Sequence, residues 1–305
     1  MNRRAERAAH AKASTVHDGA GTVQVRTSGI DSHLMASTSF LAAVVQMTST
    51  SDRAKNLDTA LRLVGEAVDR GSTLVGLPEN FAYMGPEGDR IASAETLEGP
   101  TVSALRETAR RRGTYLLAGS IAERVDTPGK TANTSVLISD QGAIVAYYRK
   151  VHLFDVSIPD GARYAESETV LAGDREVLAA TPLGNIGLSV CYDLRFPELY
   201  RRLARAGAEI LCVPSAFTLY TGKDHWEVLL RARAIENLAY VLAPAQQGRH
   251  SASRITFGNA MIVDPWGVVL ARCPDGEGVC VAPVSRARLA KVRRELPALD
   301  HRRLD

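Results

Sequence analysis

Residues 186–198 read Ile186-Gly187-Leu188-Ser189-Val190-Cys191-Tyr192-Asp193-Leu194-Arg195-Phe196-Pro197-Glu198. An apolar run of strand character ends on a cysteine, and six residues later a proline and an acid open a helix. A thiol at such a strand-to-helix turn faces main-chain N–H groups and a helix dipole, which favour a thiolate and can hold an oxyanion. Free cysteines more often end up as inert core residues, and this stretch alone leaves that alternative open.

Working outward, strand and helix signals alternate on both sides of it. Residues 41–46 form an apolar strand, and Ala54, Leu57, Leu61, Val64 and Val68 then recur at the spacing of one helical face. A strand over 73–77 stops at Pro78, and a helix over 104–112 leads to a strand over 115–118. Runs at 134–139 and 143–148, separated by Asp140-Gln141-Gly142, predict an antiparallel hairpin, so the sheet is mixed. Strands over 210–213, 240–243, 260–263, 268–271 and 279–282, helices over 197–206 and 226–237, and a basic helix from 286 complete the pattern. This rhythm needs helices on sheet faces and more than one sheet, which is an α/β sandwich of stacked layers.

The 305 residues are expected to form one catalytic domain over 39–305, behind an extension over 1–38 that shows neither helical nor strand periodicity and is expected to be disordered. The 37 basic residues nearly balance 34 acidic ones, so nothing pulls the chain toward nucleic acid or an anionic membrane. No run reaches the length of a membrane span, and the N-terminus lacks the apolar stretch of a secretory signal. Cys191, Cys212, Cys273 and Cys280 stand singly, which fits a reducing compartment such as the cytoplasm. The seven histidines are scattered without metal-ligand spacing, so no metal is expected.

Two further segments carry chemistry. Glu79 follows the 73–77 strand and Pro78, at the strand edge where clefts of α/β sheets form, a place for a carboxylate that accepts and returns a proton. Lys150 closes the hairpin in Tyr147-Tyr148-Arg149-Lys150-Val151-His152. A lysine there is commonly a solvated edge charge, but it could also stabilise an oxyanion.

Together these segments resemble the nitrilase superfamily of carbon-nitrogen hydrolases over residues 40–303. The likeness is strong at 148–155, 190–198 and 225–236. Gln246-Gln247-Gly248-Arg249-His250 and Val263-Asp264-Pro265-Trp266-Gly267 resemble the branch that includes deaminated-glutathione amidases, with ω-amidases as near relatives. The resemblance implies a four-layer α-β-β-α sandwich that forms a homodimer. It also implies Glu79 as general base, Lys150 as oxyanion stabiliser, Cys191 as nucleophile and Glu166 as a second carboxylate that orients Lys150. The expected reaction is cofactor-free hydrolysis, through a thioester, of a small carboxylate-bearing amide to acid and ammonia. Arg195 and Thr221 would clamp the substrate carboxylate, Arg195 having an internal pair with Glu198 or Asp193 as its alternative. A main-chain N–H near Tyr192 would assist the oxyanion, and Tyr83 and Phe217 would line the pocket. Two other readings are a cysteine protease using His152 or His225, and an idle binding protein using the basic stretch 286–303.

Overall fold

The computed structural model describes residues 13–17, 23–27, 39–157, 163–252 and 254–304. Among them two eight-stranded sheets pack face to face. One runs Ala13–His17, Val23–Thr27, Val177–Thr181, Gly184–Leu188, Ile210–Cys212, Tyr240–Ala243, Met261–Val263, Val269–Arg272. The other runs Ile255–Phe257, Ala245–Arg249, Ser39–Met47, Ser72–Gly76, Tyr115–Arg124, Thr131–Ile138, Ile144–Arg149, with Gly278–Ser285 also along Ser39–Met47.

The apolar runs are continuous because central strands are covered on both faces. Along Ser39–Met47, Ala42 and Val44 join the core shared with the opposite sheet. Ala43 and Val45 pack with Leu63 and Val64 of the helix Arg53–Asp69 and Leu105 of the helix Pro100–Arg112. Beyond the first sheet, the helices Pro197–Arg205 and Leu219–Asn237 bury Leu199, Leu203, Leu230 and Ala234. The result is the mixed α/β architecture of four layers, helices outside and sheets inside.

Several boundaries differ from expectation. The hairpin's first strand begins at Thr131 rather than 134, which draws Asn133 into the sheet. The helix expected from 226 starts at Leu219, because the Thr218 hydroxyl caps it by accepting from the Thr221 N–H. The strand Val177–Thr181 and the hairpin of Ala245–Arg249 with Ile255–Phe257 have no counterpart in the sequence reading. Within the N-terminal extension, Ala13–His17 and Val23–Thr27 are strands where none was expected, the second pairing parallel to Val177–Thr181, whose edge is otherwise open. The rest of the expected disordered extension lies outside the described residues.

Cysteine pairing corrects a second expectation. Cys273 and Cys280 are joined by a disulfide across the turn between the last two strands, with their Cα atoms 5.5 Å apart, so only Cys191 and Cys212 are free. The turn folds back on itself and brings residues seven positions apart face to face. The argument for a reducing compartment from unpaired thiols therefore rests on two residues, not four. The basic C-terminal helix is confined to Arg286–Glu295, and Arg286, Arg288 and Arg293 are engaged internally, Arg286 donating to the Pro182 carbonyl. Arg288 pairs with Asp264 at 3.0 Å, and Arg293 donates to the Leu238 and Ala208 carbonyls. No helix among the described residues is long and apolar enough to cross a membrane.

Candidate active site

Strand ends from both sheets meet at one cavity of about 790 Å³. Glu79 comes two residues beyond Leu77, Lys150 follows the strand Ile144–Arg149, and Cys191 lies three residues beyond the strand Gly184–Leu188. All three line the cavity together with Glu166. Sequence separations of 71 and 16 residues thus collapse into hydrogen bonds. Lys150 Nζ donates to Glu79 Oε1 at 3.1 Å and to Glu166 Oε2 at 2.8 Å.

Each charged group is held on several sides, as buried charges must be. Glu79, 3% exposed, also accepts from Asn133 Nδ2 at 3.0 Å and from the Ala216 N–H at 2.9 Å. Glu166 accepts from the same Asn133 amide at 2.9 Å and from the Phe154 N–H at 2.8 Å. Burial acts to lower the Lys150 pKa, but the Glu166 and Glu79 carboxylates outweigh it and raise it, so the ammonium is permanent. For Glu166, burial acts upward, yet Lys150, Arg90 and the hydrogen bonds prevail and bring it down to about 2.

Cys191 sits in the left-handed region at φ 49°, at the start of a short 3-10 turn, with its N–H bound to the Pro214 carbonyl at 2.9 Å. A cysteine adopts that conformation only where its surroundings impose it. Here Asp193 does so: fully buried, it accepts from the Val190 N–H, the Tyr148 hydroxyl and the His152 N–H and ring. Burial pushes the Cys191 thiol well above its usual range, the Glu79 charge adds to this, and Lys150 opposes it. These surroundings favour the protonated thiol. Glu79 is the carboxylate beside it.

The expected substrate-binding residues divide. Tyr192, Arg195, Phe217 and Thr221 line the cavity. Arg195 pairs with neither Glu198 nor Asp193; it contacts His225 at 3.2 Å and lies over the rings of Tyr192 and Phe217. Tyr83 does not line the cavity. It lines a separate small space with Arg53 and Glu95, and its hydroxyl donates to the Pro86 carbonyl at 3.4 Å. Neither His152, engaged by Asp193 and stacked on Phe196, nor His225 lines the cavity, and the imidazole that does line it, His250, has both ring nitrogens engaged by the Ser49 carbonyl and Thr256 Oγ1. Among the described residues there is no group of three or more metal-ligating side chains.

Sequence reasoning missed Asn133, the amide that ties the two carboxylates together, and Gln246, whose Nε2 donates to the Glu79 carbonyl at 3.1 Å. The polar run Thr131-Ala132-Asn133-Thr134-Ser135 in a sheet interior was the available signal for Asn133, since all five residues are fully buried.

The chain matches the family model for carbon-nitrogen hydrolases over residues 41–294. It is 50% identical over 266 residues to a deaminated glutathione amidase of Synechocystis sp., covering 86% of this chain and 98% of that one. It is 46% identical over 270 residues to the human deaminated glutathione amidase, covering 87% and 83%. The crystal structure of the Caenorhabditis elegans NitFhit protein superposes with a TM-score of 0.83 at 40% identity, covering 87% of this chain and 65% of that longer one.

Proposed function

The chain belongs to the carbon-nitrogen hydrolase (nitrilase) family, and from that premise we propose that it is an amidase whose substrate is deaminated glutathione. Glu79 takes the proton of Cys191 as the sulfur attacks the amide carbon. The oxyanion is met by Lys150 Nζ and by a main-chain N–H at Tyr192, each donor worth about 3 kcal/mol of barrier. Glu79 then protonates the departing nitrogen, the C–N bond breaks and a thioester remains. A water deprotonated by Glu79 adds to the thioester, the C–S bond breaks, and the acid leaves with the thiol restored. Glu166 and Asn133 keep Lys150 and Glu79 in register throughout. No metal or organic cofactor takes part in these steps.

The observation that carries this reading is the buried hydrogen-bonded chain Glu79–Lys150–Glu166, lining the same cavity as the Cys191 thiol held in a left-handed turn. Replacing the amino group of glutathione by a ketone makes the acyl half a 2-oxo dicarboxylic acid. The amine half is then cysteinylglycine, so the leaving group is a dipeptide. α-Ketoglutaramate shares the acyl half and releases ammonia, and in both cases Arg195 and Thr221 are the candidates to hold the acyl carboxylate. A thiol that must stay reduced favours the cytoplasm.

The test is to offer purified protein deaminated glutathione, α-ketoglutaramate, an N-carbamoyl amino acid and a simple nitrile, and to quantify the acid and amine products. We expect 2-oxoglutarate and cysteinylglycine from the first at the highest kcat/KM, and no turnover by Cys191→Ala. Preference for α-ketoglutaramate would move the assignment to ω-amidase.

A further inference from the structure

Two buried carboxylates share one lysine in this site, which leaves an excess negative charge in a setting where unpaired charge is expensive. Among the motif residues the second cation is Arg195, whose guanidinium lies over the rings of Tyr192 and Phe217; the structure adds another. Arg90, 7% exposed, comes from the loop that follows the 3-10 turn Glu87–Asp89 and lines the same cavity. Its Nη1 donates to Asn80 Oδ1 at 3.2 Å and its Nε to Thr131 Oγ1 at 3.4 Å, while Nη2 is buried without a hydrogen-bond partner among the described residues. Asn80 follows Glu79 directly and is itself left-handed, at φ 54°. Thr131 lies two residues before Asn133, on the same face of their strand. The guanidinium thus touches Asn80, which adjoins Glu79, and Thr131, which shares a strand face with Asn133. A buried guanidinium with an idle donor is not explained by packing.

We propose that Arg90 is a positioning residue of the amidase site, supplying the second positive charge that keeps Glu166 ionised and fixing the left-handed Asn80 that aims Glu79. The proposal rests on the amidase reading for its consequence in catalysis, but not for the charge coupling itself. Glu166 is hydrogen-bonded by Lys150 just after the strand Ile144–Arg149, by Asn133 from the strand Thr131–Ile138 and by the Phe154 N–H, and the Arg90 charge acts on it from the wall of the same cavity. Glu79 and the Cys191 thiol lie across Lys150, and Arg163 lies on its own segment. Removing Arg90 takes away a charge that favours the ionised form of Glu166. Glu166 then takes up a proton at higher pH, Lys150 loses the partner that orients it, and the acid limb of catalysis moves up.

The experiment titrates protein labelled with 13Cδ-glutamate, the Glu166 resonance being assigned by its loss in Glu166→Gln. We expect the native and Arg90→Lys proteins to keep Glu166 ionised below pH 4. In Arg90→Met and Arg90→Gln it should titrate at least one unit higher. In parallel, the acid limb of kcat/KM should move up with it in Arg90→Met and return in Arg90→Lys. A Glu166 resonance that titrates alike in all the folded variants overturns the proposal. So does a uniform loss of kcat/KM with an unmoved acid limb, which is the signature of a purely structural arginine. Because the resonance needs no substrate, a native protein that hydrolyses none of the four amides would sink the reaction reading separately.

Discussion

Asn133 shows how much of this site depends on a residue with no chemistry of its own. Its side-chain amide donates to Glu79 at 3.0 Å and to Glu166 at 2.9 Å, so one planar group sets the separation of the two carboxylates. Asn133→Ala removes both bonds. We expect kcat/KM to fall about 10- to 100-fold, the equivalent of one or two hydrogen bonds to charged groups, in a protein that still folds. Asn133→Asp should be worse, about 1,000-fold, because a third carboxylate would face the other two. Steady-state kinetics beside thermal melts checks both, and an Asp variant as active as the Ala variant would show that the amide matters only as a spacer. Glu79, Lys150 and Cys191 could be singled out because each stands near the end of an apolar run and because the three segments together resemble a known family. Asn133 was not, because its partners stand 54 and 33 residues away and only the folded register brings it to them.

At the level of elements, two irregularities shape the candidate site. The pairing of Tyr115–Arg124 with Thr131–Ile138 shifts register between Ala118 and Ile121, and the irregular stretch receives the chain at Glu79: Ser120 Oγ accepts the Asn80 N–H at 3.0 Å. Bulges of this sort commonly re-aim side chains beside active sites. A methyl group on Gly119 would stand 1.9 Å from the Pro78 carbonyl oxygen, a contact that only main-chain movement can relieve. Gly119→Ala is expected to lower kcat/KM about 100-fold by displacing Glu79, and to lower Tm as well. Unchanged kinetics would mean that the strand yields without moving Glu79.

The second irregularity is the hairpin of Ala245–Arg249 and Ile255–Phe257, whose tip lines the cavity. The motif 246–250 was legible as a family mark, but its work was not. His250 hydrogen-bonds the Ser49 carbonyl and Thr256 Oγ1, both at 2.7 Å. Burial, with the Arg254 charge adding, brings its pKa down to about 4 against the pull of the Ser49 bond, so the folded state holds it neutral. A depressed histidine contributes stability in full above its unfolded pKa near 6.5, and that contribution is lost as pH falls toward 4. Native Tm should therefore drop between pH 6.5 and 4, and His250→Gln should show a flatter profile there. Parallel profiles would remove His250 as the cause.

At the scale of the whole molecule, the site is a product of two sheets stacked at a fixed spacing. Glu79 and Lys150 come from one sheet, while Cys191 and the Ala216 N–H come from the other. The layer architecture followed from apolar periodicity, since strands covered on both faces leave a plain signature. A strand such as Val177–Thr181, half-buried over Ala180 and Thr181, leaves a weak one. What the layers leave uncovered also carries an expectation. The outer helix Leu219–Asn237 exposes Val228 at 66% and Ile235 at 45%, seven residues apart on one face, while Trp266 is exposed at 51% and Val268 at 48%. The Cα carbon of Gly267 adjoins the Ile235 side chain, so helix and turn form one apolar face. A second copy of this chain is the occupant that the family resemblance implies. The same helix begins at Thr218 and Thr221 in the cavity wall, so pairing there would brace the substrate pocket. Sedimentation at micromolar concentration should give a dimer for the native protein and a monomer for the Val228→Arg, Ile235→Arg double variant, with KM raised more than kcat is lowered. A double variant that sediments as the native protein does would place the subunit contact elsewhere.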